Sequence, residues 1–119
     1  MTDSQAECIF CKIASGALGT EFVHETGTTA AFRDLAPLAA QHILIVPKRH
    51  IASLAAVTRE DDALLGDLLE TARIVAEKVG ICESGYRLVT NVGPDAGQTV
   101  FHLHWHVLGG ESLGAFGRG

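Results

Sequence analysis

From Phe101 to Val107 apolar residues and histidines alternate without a break: Phe101, His102, Leu103, His104, Trp105, His106, Val107. Only an extended strand, whose successive side chains point to opposite faces, sorts such a run into two uniform sides. The run predicts a strand from about Thr99 to Leu108. Phe101, Leu103, Trp105 and Val107 then form an apolar face, and His102, His104 and His106 lie together on the other. That apolar face must be covered by a packing layer, and the rest of the chain is constrained to supply one.

The covering element is legible between Thr58 and Gly80. Thr58 and Asp61 form a capping box, in which each side chain satisfies an amide of the first helical turn. Leu65, Leu68, Leu69, Ala72, Val75 and Val79 recur at helical spacing, and Gly80 supplies the stop. Cys8–Ile13 reads as a short N-terminal helical segment, broken at the Gly16–Gly19 region. Glu21–His24 and Thr28–Arg33 read as two strands joined by a turn at Thr26-Gly27. His42–Pro47 holds the run Ile43-Leu44-Ile45-Val46 of a buried strand, and Tyr86–Thr90 a further strand. The pattern predicts one α+β domain over residues 1–119: an antiparallel sheet of about five strands, one long helix and a short N-terminal helix. No repeat or linker divides it.

The net charge of −5 excludes the basic face that broad nucleic-acid or anionic-membrane binding requires. No stretch approaches the roughly 20 apolar residues of a membrane span. Met1–Glu7 lacks the apolar region of a secretory signal, so the expected compartment is the cytoplasm, where the three cysteines stay reduced.

Three histidines in strict alternation place three imidazoles side by side. Imidazole titrates near neutrality, attacks electrophiles when neutral and donates a proton when charged, so such a row can divide the work of nucleophile, orienting donor and acid. A metal site made of all three is the competing reading, and it lacks the usual nearby carboxylate. Asn91–Thr99 is a Gly-rich turn that runs straight into the row. Its amides, with Asn91, Gln98 and Thr99, are suited to holding phosphate oxygens. His24 and His42 stand apart from other ionisable groups and read as structural. Cys82 reads as an ordinary surface thiol.

The run Gly97-Gln98-Thr99-Val100-Phe101-His102-Leu103-His104-Trp105-His106-Val107-Leu108-Gly109-Gly110 resembles the signature of the histidine-triad nucleotide-binding proteins. Ile9-Phe10-x-Lys12-Ile13, Ala31 to Pro37, His42 to His50, and Gly85-Tyr86-Arg87-Leu88-Val89-x-Asn91 extend the resemblance in order over nearly the whole chain. The branch it most resembles hydrolyses purine nucleoside phosphoramidates. The related alternatives are a dinucleoside polyphosphate hydrolase and a nucleotide-binding adaptor. The resemblance implies a catalytic set of His104, His106 and His102, with His104 as the nucleophile that forms a nucleotidyl-histidine intermediate. It implies phosphate contacts from His106, Asn91, Gly97, Gln98 and Thr99, ribose contacts from Asp34, and a base pocket of Ile9, Phe10 and Leu35. It also implies a homodimer. Two departures stand out: Arg33 precedes Asp34 where histidine is common, and the C-terminal tail Glu111–Gly119 has no tryptophan of the kind some relatives carry, with Phe116 as its apolar candidate.

Cys8-Ile9-Phe10-Cys11 is a C-x-x-C pair, by itself half of a zinc site, a redox pair or two buried thiols. His50 and His102 complete a Cys₂His₂ set, and the pattern resembles that of zinc-bearing histidine-triad relatives. The expected cofactor is therefore a structural zinc on Cys8, Cys11, His50 and His102.

Overall fold

A computed structural model describes residues 7–115. Met1–Ala6 and Phe116 lie outside them, and with them both the reading of the leader and the apolar candidate of the tail.

Five strands form one antiparallel sheet: β1 (His24–Glu25), β2 (Thr29–Arg33), β3 (Gln41–Pro47), β4 (Tyr86–Val89) and β5 (Trp105–Gly109). Their spatial order is β1-β2-β3-β5-β4. Two helices cover the faces, α1 (Ile9–Ala14) and α2 (Asp62–Lys78). The α+β architecture is the expected one. No described helix is long and apolar enough to cross a membrane.

α2 begins as its sequence dictates. The Thr58 side chain accepts the Glu60 N–H, Asp61 accepts the Thr58 N–H at 2.9 Å, and a 3₁₀ turn over Arg59–Asp61 leads into the helix. Arg49 pairs with the same Asp61 carboxylate. The buried stripe of α2 is Leu68, Thr71, Ala72, Val75 and Ala76. Leu69, expected on that stripe, is 53% exposed, because the stripe follows 68, 72 and 75 and leaves 69 on the outer flank.

The stripe packs on one face of the sheet with Ala31, Ile43, Ile45, Leu103 and Val107. Phe10 and Ala14 of α1 pack on the other, with Ala30, Phe32, Leu44 and Val46. β3, the middle strand, is buried on both faces, as its continuous apolar run requires.

Two strands are shorter than expected. Of the expected first strand Glu21–His24 only His24 lies in β1, which runs His24–Glu25. β5 starts at Trp105 rather than Thr99, and the cause is Pro47. The β3–β5 register pairs Ile45 with Trp105, so the next hydrogen-bonded pair would be Pro47 with Leu103. Proline has no N–H to give. The Leu103 N–H instead reaches the Ile51 carbonyl at 2.6 Å, and His102 Nε2 donates to the Pro47 carbonyl at 2.8 Å. The ladder therefore ends while the two-faced sorting of side chains continues: Leu103 stays in the α2 core, and His102 and His104 are buried beside α1.

Gly109 lies where β5 passes closest to the segment after α2. A Cβ there would stand 2.9 Å from Ile81 Cδ1 and 3.2 Å from the Gly85 carbonyl. Gly109→Ala is expected to destabilise the fold by about 1–3 kcal/mol through overpacking, read by chemical denaturation. A variant as stable as the parent would show that the 81–85 segment yields freely.

Candidate functional site

His104 is 8% exposed, and its ring is held by the His102 carbonyl, Phe10 and the His106 ring. Its Nδ1 lies 2.7 Å from the His102 carbonyl, which can only accept, so Nδ1 carries the proton and Nε2 keeps its lone pair. Phe10 stands edge-on to the ring, centroids 5.0 Å apart. Thr90 Oγ1 donates to the His104 carbonyl at 2.7 Å, holding the backbone where the ladder has not yet begun. Burial lowers the His104 pKa below the ordinary histidine value, against the raising effects of the His102 carbonyl and the Asp34 charge. The ring is thus a neutral imidazole with a free Nε2 at pH 7.

His106 follows at a centroid distance of 5.2 Å. Its Nδ1 lies 2.8 Å from His42 Nε2, and His42 Nδ1 in turn accepts the Leu38 N–H at 3.1 Å. That amide fixes the whole chain of tautomers. His42 must carry its proton on Nε2 and give it to His106 Nδ1, which leaves His106 with its own proton on Nε2 as a donor. Burial, then the neighbouring His104 and His42, push the His106 pKa down to about 4, with Asp34 acting the other way. His42 is lowered too, by burial and against Asp34. His42 is therefore part of the site, which corrects its reading as a lone structural histidine. It shares a face of β3 with Leu44, and Leu44 pairs with His106. That register is a tertiary fact, and no spacing in the sequence carries it. His24 stays apart, with Nδ1 2.9 Å from Lys78 Nζ.

Asp34 follows β2, its N–H bonded to the His42 carbonyl at 3.0 Å. Oδ1 accepts the Ala36 N–H at 2.8 Å, and Oδ2 lies 3.6 Å from His42 Nε2. Ile9 and Leu35 are exposed apolar side chains, 44% and 100%, available to a ligand, whereas Phe10 is buried against His104. Arg33 Nη1 is turned to Gln41 Oε1 at 2.7 Å.

The Asn91–Thr99 loop forms as expected around Gly93 and Gly97, both at positive φ, with a 3₁₀ turn over Pro94–Ala96 between them. Gln98 has a different role from the expected phosphate donor. Its Oε1 accepts the Gly93 N–H, and its Nε2 donates to the Ala52 and Val100 carbonyls at 2.9 and 3.1 Å. Its side chain is the pin that closes the loop and ties it to the 51–53 segment. Asn91 is half-buried and Thr99 is exposed at the loop's two ends.

The four sulfur and histidine groups also come together. Cys8 Sγ and Cys11 Sγ each lie 3.4 Å from His102 Nδ1, and Cys11 Sγ lies 3.2 Å from His50 Nδ1. All four ligand atoms fall within 4.8 Å of one another. Because His102 Nε2 donates to Pro47, its Nδ1 faces the thiols unprotonated, the form in which a histidine ligates. This donor set fits zinc. Asp34, His42 and His106 are equally close together, but there the two nitrogens share a proton and point at each other.

Comparison with known proteins agrees with this geometry. A family model described as the HIT domain matches residues 16–113. An uncharacterized HIT-like protein of Synechococcus elongatus is 50% identical over 90% of this chain and 93% of its own length. The purine nucleoside phosphoramidase of Escherichia coli is 41% identical, covering 91% of each chain. A HIT family hydrolase structure from Clostridium thermocellum superposes with a TM-score of 0.90 at 44% identity, over 94% of this chain and 97% of that one.

The depressed histidines set a pH dependence of stability. Between pH 6.5 and about 4 the unfolded chain binds a proton that folded His106 refuses, and folded His42 and His104, also lowered, add to the effect below pH 6.5, so stability rises with pH across that window. It is fully present above pH 6.5 and is lost as pH falls towards 4. Asp61, also held low by the Thr58 N–H and Arg49, acts only below the ordinary carboxylate range. Melting with chelator present throughout should give a Tm at pH 5 lower than at pH 7.5 by about 4 °C or more, the change that roughly 1 kcal/mol makes in a domain of this size. A flat profile would mean these rings are protonated in the folded state.

Proposed function

The chain belongs to the HIT-domain family, and from that premise we propose that it hydrolyses purine nucleoside 5′-phosphoramidates through a nucleotidyl-histidine intermediate on His104. The observation that carries the reading is the His104 ring: a neutral imidazole whose Nδ1–H is locked on a carbonyl and whose Nε2 is left as the nucleophile.

In the proposed reaction His104 Nε2 forms a bond to phosphorus as the phosphorus–nitrogen bond breaks, and the nitrogen leaves as the amine with a proton taken from water. Water then cleaves the new nitrogen–phosphorus bond and releases the nucleoside monophosphate. Two in-line steps replace one difficult one. His106, made a donor at Nε2 by its bond from His42, steadies the phosphoryl oxygens, together with Asn91, Thr99 and the loop from Gly93 to Gly97. Asp34 Oδ2, not taken up by the Ala36 turn, accepts from the ribose hydroxyls. Ile9 and Leu35 receive the base, and Phe10, expected beside them, is packed behind the site against His104.

Zinc on Cys8, Cys11, His50 and His102 is part of the same proposal. When bound it supplies a closed, four-ligand structural centre with no open position for substrate. The cytoplasm, which keeps both thiols reduced, suits it. β4 is a sheet edge with Tyr86 exposed, and we assign the homodimer contact to it.

His104→Ala is expected to lower turnover of a fluorogenic adenosine phosphoramidate by about 10³ or more. AMP affinity should change by no more than about tenfold, the size of one lost hydrogen bond. Rapid quench of the wild type should place the nucleotidyl label on His104. A label elsewhere, or an active variant, rejects the assignment. For the metal, elemental analysis of protein purified without added metal should find about one zinc per chain, and chelation should lower Tm. Zinc well below that, with no stabilisation on adding it, leaves Cys8 and Cys11 as ordinary thiols.

A further inference from the structure

The first turn of α1 carries both thiols of the Cys8–Cys11–His50–His102 cluster and, between them, the ring that touches the attacking histidine. Cys8 is the N-cap residue of α1, its sulfur accepting the Cys11 N–H at 3.4 Å. Phe10 is 8% exposed and stands edge-to-face with His104 at 5.0 Å and 85°, with His102 at 6.0 Å and with Phe32 at 5.7 Å. Three contacts therefore fix the His104 ring: the His102 carbonyl, the Phe10 edge and the His106 ring. Two of the three lead back to the cluster, one through the helix that bears Phe10 and one through His102 itself.

α1 has six residues, too few to hold a helix without outside contacts. Its seat is the small cluster around Phe32, Leu44 and Val46, together with the two sulfurs that meet His50 and His102. Whatever loosens the sulfurs moves the Phe10 ring with them. Displacing a nucleophile by about 1 Å costs on the order of 100-fold in rate, so a small movement of α1 is enough to be felt.

We infer that Phe10 is a positioning residue that couples the Cys8–Cys11–His50–His102 cluster to His104, so that a metal ion held there sets the rate of attack. The inference rests on the reading of His104 as nucleophile and of the cluster as a metal site. In it the cluster does more than stabilise: loading it seats α1 and aligns His104, and emptying it lets the ring turn.

Three preparations test this, each with and without metal: wild type, Phe10→Leu and Phe32→Leu. Phe32 touches Phe10 but makes no ring contact with His104, so Phe32→Leu removes apolar volume from the same cluster without touching the nucleophile. Loading is read from the cobalt(II) absorption of a tetrahedral thiolate–imidazole centre. Ring position is read from the ¹⁵N resonances of His104 in substrate-free protein. kcat and KM are read with the fluorogenic phosphoramidate. The expected result is the cobalt spectrum in all three proteins. Stripping the wild type should move the His104 resonances and lower kcat by about 10- to 100-fold. Phe10→Leu should show the same loss while loaded and little further loss when stripped, the non-additivity of two changes on one path. Phe32→Leu should melt lower and lose clearly less of its loaded kcat than Phe10→Leu, because it keeps the ring that touches His104.

The inference is overturned by a wild type that takes up no cobalt, by stripped and folded wild type with unmoved His104 resonances, or by Phe10→Leu with wild-type kcat. An equal kcat loss in Phe32→Leu also overturns it. If stripping unfolds the wild type, loaded Phe10→Leu decides alone. Should His104→Ala turn over substrate, the phosphoramidase reading fails instead, and the substrate-free resonances still decide the role of Phe10.

Discussion

The hydrogen bond from His102 Nε2 to the Pro47 carbonyl is the constraint on which the rest of the site depends. Pro47 has no N–H to give to the β3–β5 ladder and the Leu103 N–H goes to the Ile51 carbonyl instead, so the Pro47 carbonyl is left to a side chain. With Nε2 committed, His102 has one tautomer, and its Nδ1 faces the two sulfurs as an acceptor. With the His102 backbone held off the ladder, its carbonyl turns to His104 Nδ1 and selects that tautomer too. One missing donor in β3 thus decides the protonation of two histidines that follow it by more than fifty residues.

A second chain of the same kind ends on His106. The Leu38 amide orders His42, and His42 orders His106, so each ring presents one donor and one acceptor in a fixed direction. Such an arrangement needs neutral rings, since a protonated imidazole has no acceptor. Burial supplies that neutrality, and Asp34, the one carboxylate near them among the described residues, opposes it without reversing it. The site therefore works by directed dipoles rather than by stored charge, which is consistent with a chain whose overall charge is negative while its ligand is expected to be an anion.

Much of this was legible in the residues before any coordinates. Alternation sorted the side chains correctly from His102 to Val107, because it reports side-chain direction, but Phe101, expected on the apolar face, is 38% exposed and outside the α2 core. The alternation overstated the strand, because the ladder depends on Pro47, a residue of another strand. The capping box at Thr58 and the stop at Gly80 are local, and both formed as read. His42 was missed because its partner is set by the β3–β5 register, and Gln98 was given to the ligand because a loop's internal bonds leave no mark on spacing. Cys8, Cys11, His50 and His102 could be grouped by resemblance and residue type, and the fold brings all four within reach of one point.

The order β1-β2-β3-β5-β4 places the last strand made between two strands already waiting for it. Until the ribosome has released Trp105–Gly109, β3 and β4 have no common neighbour, and each presents an open edge with apolar residues beside it. β5 also carries His106 and is preceded by His102 and His104, so the sheet and the site are completed by the same event. An incomplete chain consequently lacks the histidine row and is adhesive, since unpaired edges template association with other chains. The same topology makes the contacts of the finished protein long-range in sequence, which slows closure of the sheet relative to formation of α2.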